Sequence, residues 1–84
     1  MNDIQKKLLK KLLEYSYDMG FHGFPISKLS KDCDVPEKEI YDSDSESGEL
    51  AEYTQNGTVG LVYYRGGSLS INRDTLHLLE NWIR

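Results

Sequence analysis

Apolar positions recur at three- and four-residue spacing early in the chain: Ile4, Leu8, Leu9, Leu12, Leu13 and Tyr15. That spacing gathers them on one side and predicts an amphipathic helix over residues 2–19. Asn2 or Asp3 suits its start and Gly20 its stop. Lys6, Lys7, Lys10 and Lys11 project from the more polar flanks and read as a solvated edge. Pro25 pushes Phe24 out of helical geometry, so residues 21–26 read as a turn and a short extended piece. A short helix follows over 27–33, with Leu29 and Cys33 one turn apart. Pro36 then suits the first turn of a third helix that carries Ile40 and Tyr41.

From Leu50 the period changes. The stretch LAEYTQNGTVGLVYYRGGSLSI holds two turn signals, Asn56-Gly57 and Gly66-Gly67. Two-residue loops at both would make a three-strand meander in which Thr54 faces Val59, Tyr53 faces Gly60 and Tyr64 faces Leu69. One face then carries Ala51, Tyr53, Val62, Tyr64, Leu69 and Ile71, the better core candidate. The other carries Leu50, Thr54, Val59, Leu61 and Tyr63 among polar groups and is expected to be only partly covered. A one-residue slip would exchange the two. Asn72 is placed to cap a last helix whose Leu76, Leu79, Trp82 and Ile83 pack inward.

At 84 residues the chain has material for one core, so residues 1–84 are expected to form a single domain. A hydrophobic fraction of 38% argues against a wholly disordered chain. Cys33 is the only cysteine, which leaves no internal disulfide and reads as a buried thiol. The start MNDIQKKLLK lacks the apolar run of a signal peptide or membrane span, so a cytoplasmic location and no membrane partner are expected. The net charge of −4 supplies no general attraction to nucleic acid.

The run FPISKLSKDCDVPEKEI resembles the paired helices of winged helix-turn-helix domains, with Leu29, Cys33, Val35 and Ile40 at the apolar positions that hold such helices together. Gly48-Glu49-Leu50 looks like that family's lead-in to the first wing strand, and Asn56-Gly57 falls at the wing tip. The resemblance implies an α+β, winged-helix-like fold: a helix-turn-helix core, a small antiparallel sheet and a C-terminal helix. It also implies a third helix over 36–47 that enters the DNA major groove. Two departures stand out. Residues 34–52 hold eight carboxylates and one lysine, whereas a groove-reading surface needs cations. Asp44 occupies a position that is apolar in the family, so either the third helix ends early or its last turn is exposed and replaced by a loop.

Other chemistry is sparse. Asp42, Asp44, Glu46 and Glu49 fail the EF-hand pattern, because Gly48 falls seventh and Tyr53 twelfth in the loop. His22 and His77 have no third ligand at metal spacing, and no nucleophile elbow or phosphate loop is present. No enzyme activity and no cofactor is expected. Two functions remain. A small DNA-associated transcriptional regulator would use Lys28, Lys31 and Lys38 on phosphates and Tyr41 and Asn56 in a groove. A protein-interaction or homodimerisation module on the same scaffold would use Val59, Leu61 and Tyr63 as its contact patch.

Overall fold

The computed structural model describes residues 1–84. Helix α1 (Asp3–Met19) opens on a capping box. The Asn2 side chain accepts from the Gln5 N–H at 2.8 Å, and the Gln5 side chain accepts from the Asn2 N–H at 2.9 Å. These two bonds satisfy donors that a helix start otherwise leaves unpaired. Leu8, Leu9, Leu12 and Leu13 are buried as their spacing requires, while Ile4 lies one turn too early and is 44% exposed.

Strand β1 (Phe24–Pro25) leads into α2 (Ile26–Cys33), which ends at Asp34 in the left-handed region. Helix α3 (Glu37–Ile40) is a single turn. It ends early, so the third helix does not extend through residues 42–47 as the family resemblance implies. Ile40 is its only buried residue, and Tyr41 is already extended. A helix prolonged through residues 42–47 would have no apolar side chain to bury. Instead Asp42 and Ser47 pair in an isolated antiparallel bridge around a tight turn. The chain then folds back, with the Glu49 and Leu50 N–H groups donating to the Glu39 and Ile40 carbonyls.

Gly48 makes this return possible. Its φ is +116°, and a Cβ there would lie 2.8 Å from the Ile40 carbonyl oxygen.

The sheet has three antiparallel strands in the order β1-β3-β2, with β2 Val62–Arg65 and β3 Ser68–Ile71. Gly66 and Gly67 take φ of 56° and 83°, the signature of a type I′ turn, and Tyr64 pairs with Leu69 as expected. Val62, Leu69 and Ile71 are buried on the inner face and Tyr64 half-buried beside them. The third strand is β1, where Phe24 pairs with Leu69, and not the segment that begins at Leu50.

That segment corrects the meander. Ala51–Tyr53 is a 3-10 turn, and neither Asn56 nor Gly57 has the positive φ a two-residue hairpin needs. Gly57 is pressed against the main chain, where a Cβ would come 2.4 Å from the Glu52 carbonyl oxygen. The single hairpin tip, and so the wing, is Gly66-Gly67. Burial explains the outcome: the consecutive residues Tyr53 and Thr54 both reach the interior, which an extended strand with one solvated face would not allow.

Asn72 caps a 3-10 turn (Arg73–Thr75) that runs into α4 (Leu76–Trp82). Leu79 and Ile83 are buried, whereas Trp82 remains 38% exposed and only edges the core, with its ring 6.4 Å from Tyr53. The whole is an α+β, winged-helix-like domain: a helix-turn-helix-like α1-α2-α3 core, a small antiparallel sheet and a C-terminal helix. No helix is long and apolar enough to cross a membrane.

Candidate interaction surface

The three sequence-selected cations lie on α2 and α3. Lys28 on α2 is committed within the molecule, 3.8 Å from Asp32 and 4.8 Å above the Tyr15 ring. Lys31 is exposed on α2, and Lys38 stands on the one-turn α3 between Glu37 and Glu39. Tyr41 is a core residue: it is buried, and its ring lies 4.7 Å from that of Tyr64. Burial pushes its phenol up, with Glu46 adding to the shift. Asn56 is exposed, but in a loop folded against residues 51–54 rather than at a hairpin tip.

The apolar contact patch also separates. Leu61 is 0% exposed and offers no surface, Tyr63 is 44% exposed on β2, and Val59 is half-buried in a different cleft. That cleft, of about 480 Å³, brings Val59 together with Met1, Tyr53 and Trp82.

Electrostatics follow the chain segments. Residues 34–52 carry a formal −7 in a chain of total −4, so the remainder is net positive. Two ion pairs form in the molecule, Lys11–Glu14 at 3.3 Å and Lys28–Asp32 at 3.8 Å, and neither belongs to that segment. Its eight carboxylates therefore keep their charge unpaired. Glu39, Glu49 and Glu52 line one open cleft of about 750 Å³ with Gln5 and Lys38.

Gln5, which sequence reasoning passed over, organises this cleft. Its Nε2 donates to the Glu49 carbonyl at 2.9 Å and to Glu52 Oε1 at 2.6 Å, while Asn2 Nδ2 donates to Glu49 Oε1 at 3.0 Å. The readable signal was the Asn2-x-x-Gln5 spacing of a capping box.

Tyr15 donates to Asp32, which holds the Asp32 carboxyl below its usual range; burial first, and that bond second, push the phenol up. Burial likewise raises the Cys33 thiol, leaving it less nucleophilic. No group of three His, Cys, Asp or Glu side chains is placed to hold a metal ion. No family model, curated protein or solved structure matches the chain.

Proposed function

We propose that this domain is a non-catalytic protein-interaction module that uses its acidic segment, residues 34–52, to engage a basic protein surface. The observation that carries this reading is the replacement of a long third helix by one turn and an acidic loop, with eight carboxylates and no ion pair among them. Unpaired carboxylates repel phosphate and raise the encounter rate with a cationic partner. A winged-helix-like scaffold supports such a role without DNA, because function resides in the surface rather than the fold.

The test is fluorescence anisotropy with two labelled probes, an arginine-rich peptide and a mixed-sequence DNA duplex. The peptide is expected to bind in a salt-sensitive manner. Amide replacement of Glu37, Glu39, Asp42, Asp44 and Glu46 together is expected to weaken it at least about tenfold. Salt-sensitive duplex binding that falls when Lys28, Lys31 and Lys38 are neutralised would instead support a DNA-associated regulator and overturn the proposal.

A further inference from the structure

The Trp82 cleft and the acidic cleft adjoin, because Glu52 lines both. One brings together the apolar side chains of Met1, Tyr53, Val59 and Trp82; the other carries Glu39 and Glu49. Asn2 and Gln5 orient the Glu49 and Glu52 carboxylates through neutral amide donors, which fix geometry without cancelling charge. The Asn2 bond falls on Glu49 Oε1, leaving the second Glu49 oxygen for a donor from outside. Such preorganisation lowers the ordering cost of binding. Lys6 lines the apolar cleft and Lys38 the acidic one.

We infer that these two clefts form one docking surface for a basic amphipathic segment of a partner protein, whose apolar side chain seats beside Trp82 and whose Lys or Arg residues lie across Glu49 and Glu52. This deepens the interaction reading above and rests on it. Charge complementarity selects the occupant: the apolar floor is bordered by carboxylates fixed in place and unpaired with any cation of the chain. Lys6 sets the direction, since it repels a cation over the apolar end and so sends the basic residues toward Glu49. Exposed Trp anchors of this kind often dominate binding energy.

Trp82 is the only tryptophan, so its emission reports occupancy directly. The probe is a short labelled amphipathic peptide of Leu, Ala and Arg, compared with versions carrying Ser for Leu or Glu for Arg. The parent peptide is expected to shift Trp82 emission to the blue and to saturate in step with anisotropy. Val59→Asp, and Thr58→Arg at the exposed mouth, are each expected to weaken it about tenfold, and Glu49→Gln with Glu52→Gln several-fold. Circular dichroism of both cleft variants establishes that they fold. The Ser version is expected to bind more weakly and leave Trp82 unmoved. If the parent peptide saturates without moving Trp82, or the Glu version binds equally, the docking surface is wrong although the acidic segment still attracts cations. If no arginine peptide binds at all, the acidic reading fails and takes this inference with it.

Discussion

The side-chain amide of Gln55 pairs with the main chain of Tyr64 in both directions. Its Nε2 donates to the Tyr64 carbonyl at 2.8 Å, and its Oε1 accepts from the Tyr64 N–H at 2.8 Å. Strand β2 lies at the sheet edge, so Gln55 stands where a neighbouring strand's backbone would. One side chain thereby blunts an edge that otherwise invites pairing with other chains.

Removing that amide is expected to loosen the edge. Gln55→Ala should lower stability by about 1–2 kcal/mol and speed hydrogen exchange at the Tyr64 amide. Gln55→Glu keeps an acceptor for the Tyr64 N–H but has no donor for the carbonyl, and should also destabilise. Urea denaturation with amide exchange checks this; unchanged protection at Tyr64 in both variants would contradict it.

Two glycines should respond differently to alanine. Gly57 has an ordinary φ, yet an added Cβ meets the Glu52 backbone at 2.4 Å, so Gly57→Ala should cost more than about 2 kcal/mol. Gly66 has nothing within 4 Å of such a Cβ and pays only for its left-handed φ, about 1 kcal/mol. Equal costs in thermal denaturation would contradict the packed 51–57 turn.

Tyr15, through its burial and its bond to Asp32, and Asp32, through that bond, couple stability to pH at opposite extremes. Asp32 is lowered in the fold, so its contribution is complete above the ordinary Asp value of about 3.9 and is lost as pH falls through the folded value. Tyr15 is raised, so its contribution is complete below about 10 and is lost as pH rises through the folded value. In Tyr15→Phe both losses should shrink. Urea midpoints across pH test this, and a variant profile parallel to the wild type would contradict it.

Helix α4 should divide sharply between core and surface. Leu79 is fully buried, and Leu79→Ala is expected to cost about 2–5 kcal/mol. Trp82→Ala, from a ring 38% exposed, should cost less despite deleting far more atoms. Reversal of that order would place Trp82 in the core and away from any partner.

Much of the architecture was legible because local chemistry and burial agreed. The leucine spacing of α1 and the glycine pair that sets Tyr64 against Leu69 each have one low-energy solution. Residues 50–60 do not. Their alternation suits a strand, but Tyr53 and Thr54 lie on opposite sides of that pattern, and both are buried. Gly57 carries a turn signal whose actual cause is close contact with the Glu52 backbone, a tertiary fact invisible to spacing. The site was half legible. The acidic run stood out in composition, whereas the cleft depends on Gln5 meeting Glu49 and Glu52, residues more than forty positions away.

Amide chemical-shift mapping tests the central claim most directly, with the arginine-rich peptide and the DNA duplex titrated separately into isotope-labelled protein. The peptide is expected to move amides of residues 37–52, while the duplex leaves the spectrum still. Shifts produced by the duplex at Lys28, Lys31 and the Gly66-Gly67 turn, with the acidic segment quiet toward the peptide, would contradict it.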